Sequence, residues 1–322
     1  MLDEISKPIL PYMEAFEPYF RGQLHSPHKL LAFITHYILR RKGKKMRPML
    51  VFLSALQSGG VTKSSNVGAA LIEMLHTATL VHDDVVDESM ERRGQKSVNA
   101  LWNSKIAVLV GDFFLARGLQ MATENNEMSI LKAVSDAVQE ISEGEIEQME
   151  HARKLDITDE TYYEVIRKKT ATLIAACTKC GAISAGASEE TVQAMYEYGM
   201  NLGIAFQIKD DIFDYEKSSF LGKPTGNDIK ERKMTLPLIY ALRNAPNAEQ
   251  KSMMKLIRKK YKEASTAKIA TEFVHQYGGI EYSIKMMQEY GQKALEALHR
   301  LPSNEATPCL EKLVLFNEQR NK

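Results

Sequence analysis

Cysteine is scarce in this chain, with three among 322 residues, and tryptophan occurs once. An odd, small number of cysteines excludes a disulfide framework. Cys177 and Cys180 do form a C-x-x-C within LIAACTKCGAISAGA. Neither a βαβ context nor a second pair accompanies it, so two small packed residues on a helix are a better reading than a redox or metal site. Net charge is only +1, which excludes a large basic footprint for nucleic acid. No run of 18 or more apolar residues predicts a membrane span. The opening MLDEISKPILPYMEAF lacks the basic, apolar and cleavage regions of an export signal, so a cytoplasmic location is expected. Hydrophobic residues make up 44% and charged residues 26%, ordinary values for a globular protein with a sizeable core.

Period-two alternation is also rare. Apolar residues recur at helical spacing almost throughout, as with Phe33, Tyr37 and Leu39 in KLLAFITHYILRR. Segments 106–121, 128–150 and 161–182 contain no proline. The spacing predicts an all-α chain. Breaks are expected at Gly59–Gly60, near 124–126, at 154–160, at 186–190, at 218–227 and at 244–247. Thr158 in TDET reads as an N-cap followed by acids in the first turn. No linker or solenoid repeat interrupts the chain, so residues 1–322 are expected to form a single domain.

Against this helical background, LVHDDVVDES (80–89) places Asp83, Asp84 and Asp87 behind an apolar run. Residues four apart on a helix lie about 40° apart around the axis, so Asp83 and Asp87 share a face and Asp84 turns away. Uncompensated acids there are costly. Two carboxylates on one face suit Mg²⁺, which takes one or two of them together with water and phosphate oxygens. The same D-D-x-x-D returns in GIAFQIKDDIFDYEK as Asp210, Asp211 and Asp214. Facing one another, two such clusters hold several ions and bind something strongly anionic, with diphosphate the natural candidate.

Basic motifs match this. GKKMRP (43–48) offers Gly43, Lys44, Lys45 and Arg47, with Pro48 suited to a first helical turn. Helix N-termini bind phosphate through free N–H groups. ERRGQ supplies Arg92 and Arg93, RKKTAT supplies Lys168, Lys169 and Thr170, and beyond the second cluster come Lys223, Asp228 and Lys233. Each basic pair alone reads as a solvated surface. Beside two acidic clusters they read as phosphate ligands.

GKKMRP, LHTATLVHDDVVDES, RRG, VGDFFLAR, Lys169–Thr170, FQIKDDIFDY, GKPTGND and KMTLPL occur in this order over roughly residues 40–240. In these elements the chain resembles the trans-isoprenyl diphosphate synthases of the polyprenyl synthetase family. Asn227 departs from the pattern, standing where many long-chain members carry an acid. Asp228 keeps the next one. The last ~80 residues carry no assignable motif.

The resemblance implies a homodimeric, isoprenoid-synthase-type helical bundle around a deep central cavity. It implies an allylic diphosphate held through Mg²⁺, three ions per active site, on Asp83, Asp87 and Asp210, with Arg92, Lys169 and Lys223 on its phosphates. Isopentenyl diphosphate falls to Gly43, Lys44, Arg47, His76 and Arg93, with Lys233 nearby. Thr170 and Gln207 line the reacting region. Asp84, Asp211 and Asp214 hold ligands, waters or basic partners. The allylic C–O bond ionises, the double bond of isopentenyl diphosphate attacks the cation, and a proton is lost.

Product length is read one turn before Asp83, at Ala78 and Thr79. Short-chain members tend to carry a ring there. Its absence implies a C30–C50 product of the quinone side-chain type, membrane-seeking although the enzyme is not. Phe113, Phe114 and Met121 are candidate deeper stops. The alternative is a geranylgeranyl or farnesyl diphosphate synthase.

Other readings fare worse. A di-iron bundle would use E-x-x-H pairs, and Glu73/His76, Glu272/His275 and Glu296/His299 have that spacing. Glu-rich helices generate it cheaply, and it leaves the aspartates unexplained. A class I terpene cyclase would carry a different second metal motif and more rings. An inactive regulatory subunit would be expected to lose acids from one cluster, and both are complete; a catalytic subunit that needs a different partner stays open.

Overall fold

The computed structural model describes residues 2–40, 45–92, 94–156, 158–216 and 226–320. Among the described residues nearly every element is helical, as the periodicity predicts. The exception is a small antiparallel ladder pairing Glu91 with Lys96 and Arg92 with Gln95. No alternating apolar pattern marks it, and it was not expected.

The backbone divides into two compact units. The first comprises Met1–Val138, Ala176–Tyr196 and Pro302–Leu310. Its centre is the helix Lys63–Val86, packed on Ser104–Glu124 and Met46–Gln57. Phe52, Leu53, Leu71, Ile72, Met74, Phe114 and Met121 are fully buried between these elements. Each such side chain stabilises the unit by about 1.5–3 kcal/mol. Segment 302–310 is tied on by polar bonds: Asn304 Nδ2 donates to Leu56 O at 3.1 Å, and Thr307 Oγ1 to Gln57 Oε1 at 2.8 Å.

The second unit comprises Gln139–Ala175, Glu197–Leu301 and Glu311–Lys322. Leu236–Asn244 packs on Ala264–Gln276 and Gly279–Leu298, burying Leu238, Ile257, Val274 and Tyr215.

The expected breaks at 59–60, 124–126, 186–190 and 244–247 separate helices. Thr158 caps Asp159–Ile166, its hydroxyl accepting from the Thr161 N–H at 3.3 Å. Most of the break at 218–227 lies outside the described residues. Segment 161–182 is not one uniform helix. Arg167–Ala171 forms a π turn between Asp159–Ile166 and Thr172–Ser184.

All three cysteines are free and buried, as the packing reading requires. Burial pushes the Cys180 thiol up to about 12 and raises Cys177 further. Among the described residues one helix, Ser104–Glu124, is long and apolar enough to cross a membrane by length and composition. Val108, Leu109 and Leu119 are exposed along it.

Candidate active site

The first aspartate cluster sits at a helix end, with Asp83 and Asp84 inside the last turn and Asp87 just beyond it. Lys63–Val86 stops at Val86, and Asp87 is its C-cap, donating its N–H to Asp83 O at 2.8 Å. The Ser89 N–H bonds Asp84 O at 2.9 Å and the Glu88 N–H bonds Val85 O at 3.3 Å. This is a Schellman turn, with Glu88 at φ +50° where glycine is usual. The chain then folds back. Ser97 Oγ donates to Ser89 O at 2.6 Å, and Asn99 Nδ2 to Asp84 O at 3.1 Å. The ladder that follows delivers Arg92, whose Nε bonds Asp84 Oδ1 at 2.6 Å.

The three acids therefore divide by role. Asp84 is buried against Arg92, Asp83 is half-buried and Asp87 is exposed. The carbonyl end of a helix is already negative, which makes this an anionic corner with hard oxygen donors. Those are the donors magnesium takes, an open set of one or two carboxylates completed by water and phosphate. Among the described residues no closed group of three or more His, Cys, Asp or Glu is arranged around a metal position.

Burial along Lys63–Val86 separates two further candidates. Leu71, Met74, Leu75, Ala78, Val81 and Asp84 form the buried stripe. Thr79 is half-buried, one turn before Asp83 on its face, and donates its hydroxyl to His76 O at 3.0 Å. Ala78 therefore belongs to the core and Thr79 to the side that carries the acids. His82 turns to the neighbouring helix, its Nε2 3.2 Å from Val108 O. Gly111 leaves room for that ring, which a Cβ there would displace, meeting it at 2.1 Å. Arg47, on Met46–Gln57, lies 3.9 Å from Glu73. Gly43, Lys44 and Arg93 lie outside the described residues.

The second cluster occupies the last two turns of Glu189–Tyr215. Asp211 is buried and accepts from Tyr162 Oη at 2.6 Å and from Gln207 Nε2 at 2.8 Å. Thr170 Oγ1 donates to Gln207 Oε1 at 2.7 Å. Thr170, Gln207, Asp211 and Tyr162 thus form one connected chain. Burial pushes the Asp211 carboxyl up to about 7, against the two hydrogen bonds that hold it down. Asp214 accepts the backbone N–H groups of Gly226, Asn227 and Asp228 at 3.1, 3.0 and 2.9 Å, anchoring the helix Asn227–Lys230. Burial also pushes Asp228 well up, with Asp211 and Asp214 adding to the effect. Lys233 pairs with Glu231, which raises it against the opposing effect of burial. Asp210 is bound by Arg320 at 2.7 Å. Lys223 lies outside the described residues.

Lys169 pairs with Glu145 at 2.7 Å. The π turn that carries it is pinned by Arg167, which bonds Glu140 at 2.7 Å and Glu164 at 2.9 Å. Gly203 lets Glu189–Tyr215 approach that turn closely, since a Cβ would sit 2.5 Å from Ala171 Cα.

Three participants escaped the sequence reading: Tyr162, Glu145 and Arg320. Tyr162 follows the TDET cap with nothing to mark it, and Glu145 is one of several glutamates on its helix. Arg320 had a faint signal, as an arginine in the otherwise unassigned tail FNEQRNK.

The polyprenyl synthetase family model matches residues 28–274. The chain belongs to the polyprenyl synthetase family. It is 39% identical over 293 residues to the octaprenyl diphosphate synthase of Escherichia coli, covering 91% of this chain and 90% of that one. A short chain isoprenyl diphosphate synthase of Methanothermobacter thermautotrophicus is 35% identical, covering 92% and 91%. The crystal structure of a decaprenyl diphosphate synthase from Rhodobacter capsulatus superposes with a TM-score of 0.94 at 36% identity, over the whole of both chains. The fold is the all-α isoprenoid synthase fold of the family. The enzyme is a prenyltransferase, a trans-prenyl diphosphate synthase. Polyprenyl synthetases join isopentenyl diphosphate to an allylic diphosphate and use divalent metal ions. Membership in this family sets aside the di-iron reading.

Proposed function

We propose that this polyprenyl synthetase extends an allylic diphosphate with isopentenyl diphosphate to an all-trans C30–C50 product for quinone side chains. The observation that carries the length is the lack of a ring at Ala78 and Thr79, one turn before Asp83. Similarity alone does not decide it, because relatives named for long and for short products match almost equally well.

Asp83, Asp87 and Asp210 would hold the magnesium ions, three with substrate bound. Magnesium there would neutralise charge on the departing diphosphate and so favour ionisation of the allylic C–O bond. Arg92 is held by Asp84 with its side chain 27% exposed, which leaves it room to meet a phosphate. Lys169 and Lys223 take the same diphosphate. Lys44, Arg47, His76 and Arg93 bind the isopentenyl diphosphate, with Gly43 and Lys233 beside them. The Thr170 and Gln207 dipoles, fixed by their mutual hydrogen bond, face the allylic cation and stabilise it without reorganising. The released diphosphate takes the proton.

The family model runs across both compact units, which supports reading residues 1–322 as one catalytic domain. Exposed Leu30, Phe33, Leu101, Leu109 and Leu119 in the first unit support a homodimer. We place the enzyme in the cytoplasm.

Chromatography of products from labelled isopentenyl diphosphate, farnesyl diphosphate and magnesium tests the reading. Products of C30 or longer are expected. Arrest at C20 would overturn the length, and no elongation by the purified chain alone would overturn the homodimer.

A further inference from the structure

Arg320 is the last described residue, and it is tightly fixed. Its side chain is 7% exposed. Nε donates to Asn317 Oδ1 at 2.9 Å and Nη2 to Phe206 O at 2.8 Å. The guanidinium lies 3.8 Å from the centre of the Phe206 ring and 5.3 Å from that of Phe213. From this seat it bonds Asp210 Oδ1 at 2.7 Å, while the Asp210 side chain is 41% exposed.

The asymmetry is informative. An exposed ion pair contributes little and is mobile. Here the cation is desolvated and held by three groups other than its partner, and the open member is the carboxylate. Desolvating a guanidinium is costly. Tying down a chain end could be done by an apolar residue without that cost. The arrangement suits a carboxylate that must present itself outward in one orientation, because metal-ligating carboxylates are typically hydrogen-bonded in turn by an outer partner.

We propose that Arg320 is a positioning residue for Asp210, fixing the orientation in which that carboxylate takes metal. The inference rests on the reading of Asp210 as a metal ligand. It gives a role to the C-terminal tail, where no motif could be assigned.

The test is Mn²⁺ binding, followed by electron paramagnetic resonance in the presence of inorganic diphosphate, on full-length protein with and without Arg320→Gln, Asp210→Asn and the pair. Outer partners of metal ligands are typically worth about 10–100-fold in affinity. Arg320→Gln is expected to weaken Mn²⁺ by that factor, and Asp210→Asn by at least as much. The double variant is expected to bind no more weakly than Asp210→Asn alone, since without the carboxylate there is nothing to orient. Wild-type affinity in Arg320→Gln, or losses that multiply in the double variant, would overturn the positioning role. Wild-type affinity in Asp210→Asn would overturn the ligand assignment itself and the proposal with it. Circular dichroism checks folding. Should Arg320→Gln not fold, Arg320→Lys keeps the cation without the stacked fork. It is expected to bind Mn²⁺ more weakly than wild type, and wild-type affinity there would also overturn the proposal.

Discussion

The Tyr162 hydroxyl donates to Asp211 Oδ2 at 2.6 Å with both side chains buried, 3% and 5% exposed. The bond spans 49 positions of sequence and joins the element before the π turn to the second aspartate cluster. Tyr162→Phe leaves a buried carboxyl short of one donor, which costs about 1–3 kcal/mol. Urea denaturation should show that loss. Because Gln207 also bonds Asp211, kcat should fall while KM for isopentenyl diphosphate stays near wild type. A rise in that KM with kcat unchanged would mean that the Tyr162–Asp211 chain serves the other substrate.

Glu88 holds a left-handed conformation at the turn that ends the first acidic helix. A non-glycine residue there costs roughly 1–2 kcal/mol. Glu88→Gly should raise stability by about 1 kcal/mol, read as a higher Tm. Lower stability would show that the Glu88 side chain makes a compensating interaction.

Gly203 lies against Ala171 backbone, so a methyl group there cannot be absorbed by a rotamer change. Gly203→Ala should destabilise by about 1–3 kcal/mol, the usual cost of overpacking. It should also lower turnover, because the displaced segment is the π turn carrying Lys169 and Thr170. Wild-type stability would show that the two backbones part easily.

Asp83→Ala and Asp210→Ala each remove a proposed metal ligand and should cut turnover by orders of magnitude. Arg93→Ala should mainly raise KM for isopentenyl diphosphate. A selective defect with the allylic substrate instead would exchange the two diphosphate sites.

Thr79→Phe should shorten the products with little effect on stability, as Thr79 lies on the side of its helix that carries the acids. Ala78→Phe should shorten them too, but in a buried stripe it should also cost about 1–3 kcal/mol. Product chromatography and thermal melts, run together, separate these effects. An unchanged product spectrum in both variants would move the chain-length determinant elsewhere.

The sequence disclosed what repeats. Helical periodicity gave the fold class, and two copies of D-D-x-x-D gave the acidic clusters, because both signals are local. It turned Asp84 away from Asp83 and Asp87, but it could not name what each acid meets. Asp83, Asp84 and Asp87 look alike as letters, yet one is buried on Arg92 and one is exposed, because the helix ends at Val86. The π turn at Arg167–Ala171 was illegible, since RKKTA has ordinary helical propensity and its register is pinned from outside by Glu140. Arg320 and Asp210 are far apart in the chain, and only the fold brings them together.

The buried thiols offer a practical instrument. Cys177, Cys180 and Cys309 are all enclosed, and the thiolate is the species that alkylating reagents attack. Folded protein should therefore be nearly inert to such reagents. Each modification event would then record an opening of the packed interior. The native chain carries its own clock for local unfolding, readable by mass spectrometry without an added label, and it can be run with and without substrate bound.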